Sequence, residues 1–221
     1  MDRNPILQKA SGFDVVSVFR RVRIRSGGAD GNPFIYALKN VKGYSIDLEN
    51  VLAFKPDFNG VLEKVSRKYA PDYVVPVPSG SRIAAMFARR VRRYTGGGIE
   101  VDWLRKKYNR DVCKDIDSLI RSGRLSRKVE RDLQTVRASL GRSLSTVFSM
   151  KNIDATARQY IEPFSLTPGI QFPSSGQVLL VDDLLATGSS LLCAKGLLEA
   201  QGLEVVSICL LSSTDKFSNF T

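Results

Sequence analysis

The sequence predicts an α/β fold, an open and mostly parallel sheet with flanking helices, and two stretches carry that prediction. In the first, the apolar run Val178-Leu179-Leu180-Val181 is followed by a Gly-containing turn, a helix bearing Leu191, Leu192, Ala194, Leu197 and Leu198, the stop Gly202 and a second apolar run from Val205 to Leu211. Strand, helix, strand in that order is a βαβ unit, which needs a parallel pair and a right-handed crossover. In the second, Tyr73-Val74-Val75-Pro76-Val77 ends at Pro78, and the turn Ser79-Gly80-Ser81 leads into Ile83, Met86, Phe87, Val91 and Tyr94 at helical spacing.

The remaining elements follow in chain order. Residues 15–25 are rich in β-branched side chains and are separated by the Gly- and Asp-containing segment 26–32 from the apolar stretch 33–38, a pattern that predicts an antiparallel hairpin with a long tip. Val61, Leu62, Val65 and Tyr69 predict a helix that starts near Asp57–Asn59 and stops before Pro71. The helix from Ile83 to Tyr94 carries Arg89, Arg90, Arg92 and Arg93 on its other face and is broken by Gly96-Gly97-Gly98. Ile99-Glu100-Val101 with Trp103-Leu104 predicts one further strand ahead of the basic Arg105-Lys106-Lys107. Leu133, Val136, Leu140, Leu144 and Val147 step by three and four and predict a long amphipathic helix over 126–148.

Composition limits the chemistry. With 221 residues the expectation is one elaborated domain spanning 1–221. No apolar run approaches the roughly 20 residues of a membrane helix, so no membrane partner is expected, and the opening Met1-Asp2-Arg3-Asn4-Pro5 offers no signal-peptide core; the expected location is cytoplasmic. Cys113, Cys193 and Cys209 are scattered and odd in number, so they are read as buried free thiols. There is no histidine, which removes Ser-His-Asp and Cys-His triads, histidine-ligated zinc and imidazole acid–base catalysis. Lys+Arg outnumber Asp+Glu by 33 to 22, a net charge of +11, which points to a polyanionic ligand or to nucleic acid.

Ligands of open parallel sheets bind beyond the carboxyl ends of strands, where Asp182 and Asp183 are expected to lie. The following Ala186-Thr187-Gly188-Ser189-Ser190 supplies backbone N–H groups at a helix start and three hydroxyls, a set suited to a phosphate monoester. The adjacent carboxylates suit vicinal hydroxyls or a hydrated magnesium ion. A second anion site is expected at Ser79, Gly80, Ser81 and Arg82, again at a helix start.

Residues 178–191, VLLVDDLLATGSSL, resemble the phosphoribosyl-pyrophosphate (PRPP) motif of the type I phosphoribosyltransferases, and within that family the wording is similar to adenine phosphoribosyltransferases. Residues 74–82 with the following helix are similar to the pyrophosphate-loop region of ComF-type members, and 34–39 is loosely similar to the segment preceding it. The resemblance implies a type I phosphoribosyltransferase fold with PRPP bound by Asp182, Asp183, Ala186, Thr187, Gly188, Ser189 and Ser190, pyrophosphate by Ser79, Gly80, Ser81 and Arg82, and magnesium placed by Asp182 and Asp183, directly or through water. It also implies a catalytic set of Asp182, Asp183, Arg82, Lys106 and Lys107, the two lysines on a flexible loop, with displacement of pyrophosphate by a nitrogen heterocycle. A hood for the acceptor is expected from the hairpin in 1–55 and the basic helical insertion 104–160, with 178–211 as the PRPP-binding βαβ. The matches cover about 74–94 and 178–211, and the zinc module of ComF proteins and the loop signatures of adenine and orotate enzymes are missing, so the acceptor is not specified.

Two functions compete at this level. One is a magnesium-dependent phosphoribosyltransferase acting on a nucleobase-like heterocycle. The other is a non-enzymatic PRPP-sensing regulator or nucleic-acid-associated protein, favoured by the charge in excess of one PRPP molecule: Arg20, Arg21, Arg23 and Arg25, then the clusters within 89–93, 105–110 and 121–142. The sequence leaves a homodimer open.

Overall fold

The structure, a computed structural model, describes residues 4–10, 12–20, 34–212 and 218–219. These form two units: residues 1–102 with 171–221, and residues 103–170.

In the first unit, the strands β1 (Ile6–Ala10), β2 (Phe13–Arg20), β3 (Tyr73–Pro76), β4 (Ile99–Glu100), β7 (Gln177–Leu185), β8 (Glu204–Ser212) and β9 (Ser218–Asn219) make one sheet ordered β4-β3-β7-β8-β2-β1-β9. The pairs β4–β3, β3–β7, β7–β8 and β8–β2 are parallel, and only β1 runs antiparallel to its neighbours β2 and β9. The class is therefore α/β with a mostly parallel mixed sheet. The central strands read as continuous apolar runs because both faces are covered: Val74, Val75, Val178, Leu180 and Val181 are fully buried.

The helices of this unit are α1 (Phe34–Leu38), α2 (Leu48–Ser66), α3 (Ile83–Tyr94) and α7 (Ser189–Glu199). Phe87, Ala88 and Val91 of α3 join Val61, Leu62 and Val65 of α2 in a core over Leu179 and Val181. Leu191, Ala194 and Leu198 of α7 are equally buried but stand outside that cluster, as alternate sides of β7 demand. Each fully buried valine or leucine among them contributes about 1.5–3 kcal/mol relative to exposure.

The second unit holds β5 (Leu104–Lys106) paired antiparallel with β6 (Phe164–Leu166), and the helices α4 (Asn109–Arg121), α5 (Arg127–Leu140) and α6 (Ala155–Arg158). Val112, Ile116, Leu133, Phe148, Ile153, Ala157 and Ile161 form its own core.

Several expectations are corrected here. The antiparallel partner of β2 is β1, with Gly12 at φ +87° between them, and residues 34–38 are helical, so the described parts of the expected 15–25/33–38 hairpin, 15–20 and 34–38, do not pair; residues 21–33, its proposed tip included, lie outside the described residues. The β1–β2 pair is part of the main sheet, with β2 lying parallel to β8. α2 begins at Leu48, well before Asp57, because the Asp47 carboxylate caps it by accepting the Asn50 N–H at 2.8 Å; Pro56 sits inside the helix. Met86 projects from the exposed side of α3, 59% accessible, not from its buried face. Residues 99–104 split between two strands of different sheets. The helix expected over 126–148 starts after its Ser126 cap but ends at Leu140; a short 3₁₀ turn follows, and Phe148 is buried while Leu144 and Val147 are exposed.

Gly98 shows how tightly the β3–β4 edge is closed. A Cβ there would meet the Pro71 carbonyl oxygen at 2.9 Å and the Asp72 carbonyl oxygen at 3.3 Å, both backbone atoms that have no rotamer to yield. Gly98→Ala is expected to lose about 2–3 kcal/mol in urea unfolding. A loss below about 0.5 kcal/mol, the range of an indifferent surface change, would refute this close approach.

Candidate functional site

The sheet order places a switch point between β3 and β7. From β3 the chain proceeds through α3 to β4 on one side, and from β7 through α7 to β8 on the other. With right-handed crossovers the two helices leave on opposite faces, and a crevice opens at the carboxyl ends of the two strands. The ladder runs from Tyr73↔Val178 to Pro76↔Val181, so the segment 77–82 and the segment 182–190 start at the same level of the sheet. Val77 extends the contact by donating its N–H to the Val181 carbonyl at 2.8 Å.

The acidic pair does not sit beyond the strand as expected. β7 continues to Leu185, and Asp182 is opposite Cys209 within the β7–β8 ladder. Alternation then separates the two carboxylates. Asp182 is half-buried and accepts the Asp183 N–H at 2.8 Å. Asp183 is buried, its side chain 7% accessible, and does not face solvent. One of its oxygens, Oδ2, takes the Lys39 ammonium at 2.7 Å and the Ser81 hydroxyl at 3.1 Å. Its Oδ1 accepts no hydrogen bond among the described residues.

Both turns expected to hold anions are at this crevice. Ser79 and Ser81 face each other with hydroxyls 3.4 Å apart, and Ser79 accepts the Ser81 N–H at 3.2 Å. Gly80 and Arg82 are exposed, Arg82 at the start of α3. On the other turn, Ala186 and Thr187 are exposed, the Thr187 and Ser189 hydroxyls are 2.9 Å apart, and Ser190 is half-buried in the first turn of α7. Gly188 adopts φ +84°, a left-handed conformation that costs glycine nothing, and so turns the chain sharply into the helix. The N-terminal ends of α3 and α7 add first-turn amides and their positive dipole ends, the Ser189 N–H of α7 being directed at the Thr187 hydroxyl at 3.5 Å.

Lys39 is the residue that sequence reasoning missed. It lies just beyond α1, has no motif around it, and reaches Asp183 only because the fold lays residues 34–39 over the sheet end; the weak similarity of 34–39 was the only available signal. Lys106 and Lys107 belong to the second unit. Residues 104–106 are a paired strand and not a flexible loop, and Arg105 donates to the Ser165 hydroxyl at 3.1 Å. The Lys107 ammonium lies between Asp115 at 2.7 Å and Glu162 at 3.3 Å. Burial pulls its affinity for the proton down, but the two carboxylates outweigh that and hold it above the ordinary lysine value. It is a charge-satisfied anchor of its own unit.

The thiols divide unevenly. Cys113 and Cys209 are buried, Cys193 only partly. Burial pushes the Cys209 thiol up to about 12, the nearby Asp182 charge adding to it against a hydrogen bond with Ser17. An unfolded chain releases that proton near pH ~8.5. Between that value and about 12 the folded state therefore binds more protons, and stability falls as pH rises. Cys209→Ala is expected to flatten this alkaline loss in urea unfolding from pH 8 to 10.5; an unchanged slope would assign the loss elsewhere.

Among the described residues no group of three or more His, Cys, Asp and Glu side chains could hold a metal, and no helix is long and apolar enough to cross a membrane. Magnesium would fit the donors at the crevice only in its usual manner, largely hydrated and shared with substrate phosphates, with the half-buried Asp182 as the main carboxylate and the buried Asp183 offering its Oδ1 alone. No protein-family model matches the chain, and no curated protein matches it.

Proposed function

We propose that the protein is a phosphoribosyltransferase that uses PRPP and magnesium to transfer ribose 5-phosphate to a nitrogen heterocycle, releasing pyrophosphate. The single observation that carries this reading is the Ser81–Asp183 hydrogen bond, which ties the Ser79–Arg82 turn to the acidic strand end, three residues ahead of the Ala186–Ser190 turn, and so supports a site in which both turns share one carboxylate. PRPP has that distribution: a phosphate at one end, a diphosphate at the other and vicinal hydroxyls between.

In this reading the amides and hydroxyls of Thr187, Gly188, Ser189 and Ser190 hold the 5-phosphate. Asp182 and Oδ1 of Asp183 accept from the ribose hydroxyls. Ser79, Gly80, Ser81 and Arg82 hold the diphosphate. Magnesium, when bound, supplies positive charge to the leaving diphosphate. The nitrogen lone pair bonds to the anomeric carbon as the carbon–oxygen bond to diphosphate breaks and its electron pair departs with the diphosphate. Arg82 and Lys39 stabilise that departing charge, which is why the absence of histidine is no obstacle.

The test is pyrophosphate release from PRPP and magnesium against a panel of heterocycles. Release is expected with at least one acceptor, and Arg82→Ala is expected to lower kcat about 100-fold by removing one charge from the transition state. PRPP binding without release for any acceptor would instead assign the sensing or nucleic-acid-associated function. Neither binding nor release would end both readings.

A further inference from the structure

A cavity of about 340 Å³ lies in the first unit among α1, α2 and α3, with Leu210 of β8 in its wall. That volume is within the range of small-molecule sites. The cavity borders the candidate site at three points. Leu38 precedes Lys39, Ile83 follows Arg82, and Leu210 stands beside Asp183, between the Asp182↔Cys209 and Leu184↔Leu211 pairs of the ladder.

Its chemistry is narrow. Phe34, Phe54, Phe58 and Phe87 line it, and among the described residues of the lining the polar side chains are those of Lys55 and Arg90. Arg90 is already engaged, donating to Asn59 at 3.2 Å and lying over the Tyr94 ring. A purine or pyrimidine with donors and acceptors along its edges would leave them unpaired here, each buried group lowering affinity by about tenfold. A flat ring system with few polar atoms would stack on the phenylalanines at no such cost.

Resting on the phosphoribosyltransferase reading, we infer that this cavity receives the acceptor, and that the acceptor is a weakly polar aromatic nitrogen compound, a fused azole or an aryl amine in class, rather than a hydrogen-bonding nucleobase. Its nitrogen forms the bond to the anomeric carbon, the diphosphate leaves with the electron pair of the broken bond, and the N–H proton passes to the diphosphate. Pocket and leaving-group site then share Arg82–Ile83 and Leu38–Lys39 as common walls.

Benzimidazole, indole, adenine and uracil serve as probes, with binding to the full chain measured by titration calorimetry in the presence of PRPP and magnesium. Benzimidazole is expected to bind at least about tenfold more tightly than adenine or uracil. Met86 is exposed at the cavity, so Met86→Trp is expected to fold, to fill the cavity and to weaken benzimidazole about tenfold while leaving the PRPP-dependent thermal shift unchanged. Adenine or uracil binding as tightly as benzimidazole would overturn the inference, as would an undiminished affinity in Met86→Trp. A concentration-dependent dimer in sedimentation that both Met86→Trp and Leu52→Glu dissociate would also overturn it, the face then belonging to a second copy. A PRPP shift without benzimidazole binding sinks this inference alone; benzimidazole binding without any PRPP shift sinks the phosphoribosyltransferase reading and the acceptor role with it.

Discussion

Asp183→Ala is expected to lower the unfolding free energy by about 3 kcal/mol, the range seen when one partner of a buried ion pair is removed. The pair is sheltered enough for that figure, since the Asp183 side chain is 7% accessible and that of Lys39 22%. Truncation strands the Lys39 ammonium in the crevice and leaves the Ser81 hydroxyl without its acceptor. Lys39→Met should cost a similar amount for the mirror-image reason, a buried carboxylate without its cation. The double variant Lys39→Met/Asp183→Leu should then cost less than the sum of the single changes by more than about 1 kcal/mol. Urea unfolding of the four proteins measures this cycle. Additive losses would mean that the ion pair does not organise the crevice.

The second large effect is on ligand binding. With PRPP and magnesium at about 100 times the dissociation constant, the chain should gain about 2.7 kcal/mol, a rise in Tm of roughly 5–10 °C for a protein of this size. Asp182→Asn is the clean variant for the acidic strand end. Its amide oxygen can still accept the Asp183 N–H, and the residue is only half-buried, so the fold should lose little. Under the proposed function, what disappears is the negative charge offered to ribose hydroxyls and metal, and most of the shift should go with it. Thr187→Val should reduce the shift by a smaller amount, one hydroxyl being lost from the exposed turn. A full shift in Asp182→Asn would place PRPP, if it binds at all, away from this strand end. Exchanging both aspartates together tests less, because Asp183 is part of the fold as well as of the site.

The parts of the fold legible in the sequence were those fixed by local pattern. The runs 73–77, 178–181 and 205–211 could only be strands buried on both faces, and the turns after the first two carried the glycine and hydroxyl residues of a helix start. What misled was pattern without a partner. Residues 34–38 are as apolar as a strand, yet they form a short helix whose Ile35 enters the core with Phe19 and Leu62. The series Leu140, Leu144, Val147 kept helical spacing past Gly141, but the core of the second unit takes Phe148 instead, and the chain unwinds to deliver it. The spacing of Val61, Leu62 and Val65 predicts a start near Asp57–Asn59, whereas the Asp47 cap and the packing of Phe54 and Phe58 against Phe19 begin the helix at Leu48 and carry it through Pro56.

The same division holds for the site. The sequence alone determined the class of chemistry: no imidazole, a surplus of cations, and two hydroxyl-bearing turns, each at a strand end and a helix start. Those are properties of residue type and spacing, which do not depend on where distant segments meet. Only the tertiary structure decided that β7 runs on to Leu185, so that alternation turns Asp182 and Asp183 to different surroundings and buries one of them. Only it brought Ser81 and Lys39 to the same oxygen of Asp183, from 102 and 144 residues away in sequence. A lysine with no pattern around it reaches the candidate site through long-range packing, and spacing along the chain cannot encode which carboxylate it will meet.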